Sequence, residues 1–87
     1  MITVLLVDDH HLVRRGFRRM LEDDAEIQVV GEASDGEAAL ALVRQVQPQV
    51  VVMDAAMPGA GGLAATRAIL KQCPATLILM LRSRHRR

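Results

Sequence analysis

The run VVVMDAAMPGAGG, Val50 to Gly62, decides how this chain is read. Three valines and a methionine lead into one carboxylate, Asp54, and the chain then turns through a proline and three glycines. A continuous β-branched run of this length suits a strand buried on both faces, as in a parallel sheet. An ionised carboxylate at its end has to be paired, hydrogen-bonded or bound to a metal. Asp54 therefore calls for a partner elsewhere in the sequence.

Working outward, similar runs recur at Ile2–Val7, Ile27–Val30 and Thr76–Leu81. Helix-period segments lie between them. The first places Leu12, Val13, Gly16, Phe17, Met20 and Leu21 on one stripe, with Arg14, Arg15, Arg18 and Arg19 facing the other way. The second spans about Gly36 to Gln47, with Ala39, Leu40, Val43 and Val46 inward and a capping-box signal in Ser34 and Glu37. Pro48 suits its end. The third is predicted from about Gly62 to Gln72, with Leu63, Thr66, Ile69 and Leu70 on one side and Pro74 closing it. The order βαβαβαβ implies an α/β fold, with a doubly wound parallel sheet, right-handed crossovers and helices on both faces.

Composition sets the frame for this fold. At 87 residues the chain is one small domain, and Phe17 is its one aromatic residue, so Val, Leu, Ile, Met and Ala must build the core. A hydrophobic content of 51% excludes disorder. The single cysteine, Cys73, excludes an intramolecular disulfide, and the start of the chain does not read as a secretory leader, so a reducing cytoplasm is expected. No apolar run reaches the ~18 residues of a membrane span. The tip, RSRHRR, holds four of the eleven basic residues, which leaves the first 81 residues with seven basic against ten acidic. A nucleic-acid-binding domain shows a broad basic surface instead.

In a sheet of this kind, ligands bind outside the carboxyl ends of the strands where the strand order reverses. Asp8 and Asp9 end the first strand and Asp54 the third. With those strands adjacent, as in the flavodoxin-like order 2-1-3-4, the three carboxylates meet in one crevice. Three carboxylates with no nearby cysteine and no well-placed histidine point to a hard divalent ion, and Mg²⁺ suits the set because it keeps several waters. Such a site is arranged for phosphoryl transfer to a carboxylate, with Asp54 as the nucleophile. Asp8 and Asp9 as mere caps of the first helix are the competing reading. A P-loop is excluded, since no G-x-x-x-x-G-K-[ST] occurs. Gly59, Gly61 and Ala64 match G-x-G-x-x-A, but after a proline turn and with no acid ~20 residues on. His10, His11, Met53, Met57 and Cys73 read as surface or packing residues.

VLLVDDHHLVRRGFRRMLE, VVGEASDGEAALALV and PQVVVMDAAMPGAGGLAATRAI together resemble the receiver domain of bacterial two-component response regulators, of the NarL/FixJ type. The resemblance covers about residues 2–81. It implies a CheY-like fold in which Asp54 accepts a phosphoryl group from a sensor histidine kinase. Asp9 then binds Mg²⁺ directly, Asp8 assists, and the backbone carbonyl of Ala56 completes the site. Pro58 and Gly59 shape the following loop, and the arginine face of the first helix (Arg14, Arg15, Arg18) is either a kinase-docking surface or a solvated one. The chain reads as a switch in signal transduction and transcription regulation, not as an enzyme. Contact with DNA is assigned to an output domain that this sequence lacks.

Departures from the family pattern shape the remaining expectations. The Thr or Ser that such domains carry at the end of the fourth strand falls at Arg82, with Ser83 beside it, and the fifth strand with its lysine is missing. Residues 1–81 are thus expected to form a receiver truncated after the fourth strand, and 82–87 a basic tail. That tail is either an arm that touches phosphates or the product of a disturbed reading frame. The exposed fourth strand is expected to favour self-association. A receiver acting only as a phosphorylation-independent binding or dimerisation module is the alternative. A small phosphohydrolase with an aspartyl nucleophile is disfavoured, because Asp8-Asp9-His10 is not D-x-D.

Overall fold

A computed structural model describes residues 1–57 and 61–81. Pro58, Gly59 and the tail residues Arg82 and Ser83, with the readings placed on them, lie outside the described residues. The chain alternates β1 (Ile2–Val7), α1 (His11–Glu22), β2 (Ile27–Ala33), α2 (Gly36–Val46), β3 (Val50–Asp54), α3 (Gly61–Gln72) and β4 (Leu77–Leu81). The four strands are parallel, in the order β2-β1-β3-β4. This is the flavodoxin-like order expected from the acids at the ends of the first and third strands. β2 runs three residues beyond the expected Val30, helped by a register shift against β1 between Val4 and Leu5.

One face of the sheet packs under α2 and α3. Leu5, Val7, Val51, Met53, Val43 and Ile69 are fully or almost fully buried there, and Cys73 packs against them as core filler. On the other face Val4, Leu6, Val29 and Val52 form a smaller cluster under Phe17 and Leu21 of α1.

α2 buries Ala39 and Val43 as expected, whereas α1 and α3 differ in which side turns inward. On α1, no residue is fully buried; Leu12, Val13 and Met20 are exposed, while Phe17 and Leu21 face the sheet. Arg14 and Arg18 share that side rather than the opposite one, because Glu32 of β2 meets both guanidinium groups. On α3, the buried residues are Gly62, Ala65 and Ile69, whereas Leu63 and Leu70 are exposed. Small residues let α3 approach its neighbours: a Cβ on Gly36 of α2 would already lie 3.0 Å from Ala65 Cβ. The cap of α2 is Asp35, not Ser34, and its Oδ1 accepts from Ala38 N at 2.8 Å. A carboxylate one residue closer reaches the free N–H of the first turn directly. Gln47, left-handed at φ 46°, ends α2 just before the buried Pro48.

Candidate metal and phosphoacceptor site

β1 and β3 lie side by side, and both finish at the same edge of the sheet, which brings their terminal acids together. One ligand atom each from Asp8, Asp9, His10 and Asp54 lies within 4.8 Å of the other three. Asp54 is 4% exposed. Its Oδ1 accepts from Ala56 N at 2.9 Å, while the buried Oδ2 accepts no hydrogen bond. An oxygen of that kind is costly to bury unless a cation or donor answers it.

The backbone around Asp54 is tightly held. Ala55 N donates to Leu81 O of β4 at 2.9 Å. On the other side, a Cβ on Gly62 would fall 2.8 Å from the Asp54 carbonyl oxygen, so only glycine lets α3 begin this close to the acid. Gly61 before it turns the chain with φ +54°.

Asp8 is fixed at three points. Its N–H donates to Ala33 O at 3.0 Å, its carbonyl accepts from Arg14 Nη1 at 2.5 Å, and its Oδ1 accepts from His10 N at 2.8 Å. The N-cap of α1 is His10, whose side chain makes no cap bond, and the first turn holds no acid. Neither Asp8 nor Asp9 therefore caps the helix, and both carboxylates face the crevice instead. His10, expected as a surface residue, is half-exposed, but its Nδ1 lies 3.2 Å from Asp9 Oδ1, 3.4 Å from Asp8 Oδ1 and 3.9 Å from Asp54 Oδ2. The signal for it was its place directly after the acid pair, where the strand end delivers the chain into the same crevice.

Further from the centre, Arg14 Nε meets Glu32 Oε1 at 2.8 Å and Arg18 Nη1 meets Glu32 Oε2 at 2.6 Å. Arg18 Nε also meets Glu22 at 3.0 Å. Hydrogen bonds from Arg18 first and Arg14 second hold the Glu32 carboxyl below its ordinary value, and Glu32 in turn raises that of Arg18. Among the docking candidates Arg14 is largely buried and Arg18 is engaged by two acids, while Arg15 is exposed. Ala56 is exposed beside Asp54, with its N–H committed to that carboxylate.

Residues 4–86 match the model of the response regulator receiver domain. The chain belongs to that family. It is 57% identical over 74 residues to the response regulator GacA of Pseudomonas aeruginosa, which covers 85% of this chain and 35% of the relative. It is 57% identical over 81 residues to UvrY of Escherichia coli, covering 93% of this chain and 37% of the relative. This receiver domain thus spans little more than a third of the curated relatives it matches. A two-component response regulator of the LuxR family from an Aurantimonas species shares the fold, with TM-score 0.91 and 41% identity over 98% of this chain and 61% of the other.

The receiver's donor set fits a hard cation. Three carboxylates gathered this closely repel one another, and Asp54 Oδ2 is a buried acceptor left to be answered. Carboxylate oxygens suit a hard divalent ion, whereas an imidazole is better suited to softer ones. Among the described residues, no helix is long and apolar enough to cross a membrane.

Proposed function

We propose that this receiver domain takes a phosphoryl group on Asp54 from the phosphohistidine of a sensor kinase, in the cytoplasm, with Mg²⁺ held by Asp8, Asp9, Asp54 and the carbonyl of Ala56. The observation that carries the reading is Asp54 Oδ2, buried, accepting no hydrogen bond, and within reach of the two acids at the end of β1. In the transfer a lone pair of the Asp54 carboxylate attacks phosphorus. The new P–O bond forms as the P–N bond to the donor imidazole breaks, and the imidazole leaves to take up a proton from water. Mg²⁺, when bound, neutralises the phosphoryl oxygens. The hydrogen bond from Ala56 N to Asp54 Oδ1 fixes the plane of the carboxylate. Asp8 is itself held by Ala33, Arg14 and His10, so its carboxylate stays at the crevice beside the other two. The exposed Arg15 on α1 is assigned to kinase docking, and DNA contact and transcription regulation to a further domain of the kind such regulators carry.

The test is mass spectrometry after incubation with Mg²⁺ and acetyl phosphate. Wild type is expected to gain one phosphoryl group that is lost on adding EDTA before the donor, and Asp54→Asn to gain none. Labelling of Asp54→Asn equal to wild type would overturn the assignment.

A further inference from the structure

We propose that Arg14 is a positioning residue for the acid pair: by gripping the Asp8 carbonyl it sets the direction in which the Asp8–Asp9 peptide presents its carboxylates. The inference rests on the metal site proposed above. Arg14 of α1 reaches the β1–α1 turn with its side chain, and the guanidinium is used on three sides. Nη1 donates to Asp8 O at 2.5 Å, Nε to Glu32 Oε1 at 2.8 Å, and Nη2 lies 3.2 Å from His11 Nδ1. Glu32 is itself pinned by Arg18 through its other oxygen. Glu32 is thus shared between the two arginines, one on each oxygen, while Arg14 also reaches the backbone of the metal-binding turn directly.

The geometry suits a guanidinium and excludes its usual replacement. A planar fork of fixed N–H directions can hold a carboxylate and a carbonyl at once, whereas an ammonium is a single point charge on a flexible stem. Lys at this position keeps the charge and the ion pair with Glu32 but loses the grip on Asp8 O. That peptide also carries the Asp9 N–H, so a rotation of its plane swings Asp9 away from Asp54. A partner that orients a metal ligand without touching the ion is worth about 10–100-fold in affinity. The largely buried Arg14 is thereby distinguished from Arg18, whose side-chain hydrogen bonds go to Glu22 and Glu32.

The experiment compares wild type, Arg14→Lys and Arg18→Gln by Mg²⁺ titration calorimetry, thermal melting and the backbone amide NMR shifts of Asp9 and His10 in metal-free protein. Arg14→Lys is expected to weaken Mg²⁺ binding about tenfold and to move both amide signals. Arg18→Gln should lower the melting temperature while leaving affinity within about twofold and the amide signals in place. Unchanged affinity and unchanged amides in Arg14→Lys would overturn the proposal, as would parallel losses in both variants that follow the drop in melting temperature. An Asp9→Asn control separates the two readings. If it binds Mg²⁺ as wild type does, the metal site has been misassigned, and the metal-free amide shifts alone then decide the role of Arg14.

Discussion

Under α2 and α3 the sheet is sealed from strand to strand, with Leu5, Val51 and Met53 all at 0% exposure and Ile78 of the edge strand still half-buried. Across the α1 face, along one cross-strand row, exposure climbs from Leu6 at 2% through Val52 at 8% to Leu79 at 48%. Both faces are made of the same aliphatic residues, so strand composition does not set the difference. Helix coverage does. α1 lies over β1 and β2, and among the described residues nothing lies over β3 and β4 on that side. The result is an apolar groove of about 240 Å³, bordered by Phe17, Val52 and Leu81, that opens beside Asp8 and Asp54.

The contrast can be broken most directly by truncating one side chain on each face. Ile69→Ala, at a fully buried site under α3, should cost about 2–5 kcal/mol in denaturant unfolding. Phe17→Ala, on a half-buried ring, should cost about 1–2 kcal/mol despite removing more atoms. An equal or larger loss from Phe17→Ala would mean that the α1 face is closed in solution.

Self-association sharpens the same point with a smaller effect. Leu77, Leu79 and Leu81 are exposed along the outermost strand, and an apolar edge of this kind recruits other chains. Sedimentation velocity should show wild type gaining mass with concentration. Leu79→Lys should shift it toward monomer at a stability change under about 1 kcal/mol. A wild-type monomer at every concentration would remove the open face from consideration.

The smallest effect concerns the polar side of α1. Glu32 is held below its ordinary value of 4.5 by Arg18 and then Arg14. A depressed carboxylate stabilises the fold above its unfolded value, and that contribution is lost as pH falls through the lower folded value. The stability gap between wild type and Glu32→Gln should therefore be constant from neutral pH down to about 4.5 and close below it. Its size should stay under about 1 kcal/mol, because Arg18 is well exposed and water screens its share. A gap that widens in acid would reverse the assigned sign.

Much of this molecule was legible in its sequence, and the misses share a cause. The strands could be read because each is an unbroken β-branched run, and the crevice because acids end two strands that the topology makes neighbours. Asp8, Asp9 and Asp54 meet as expected. On α1, Phe17 and Leu21 of the expected stripe do face the sheet, but the inward place of Arg14 is set by Glu32, 18 residues beyond it and visible only once β2 lies beside β1. On α3 the expected Ile69 is buried, but close approach to α2 and to the Asp54 carbonyl puts Gly62 and Ala65 inward in place of Leu63 and Leu70. His10 was passed over because histidine at a helix start is ordinary, and only the three acids gathered round it give it weight.

The strand order also governs what happens while the chain is being made. β1 is central in the sheet, yet its two partners, β2 and β3, follow it along the chain by a helix and by two helices. Ribosomes add about 5–20 residues each second, so ITVLLV emerges several seconds before Val50 to Asp54 exists to pair with it. During that interval a central, largely buried strand of the finished domain is an unpaired apolar segment. The acid pair that follows it, with the arginines of α1 close behind, keeps charge beside that segment on the nascent chain until both partners arrive.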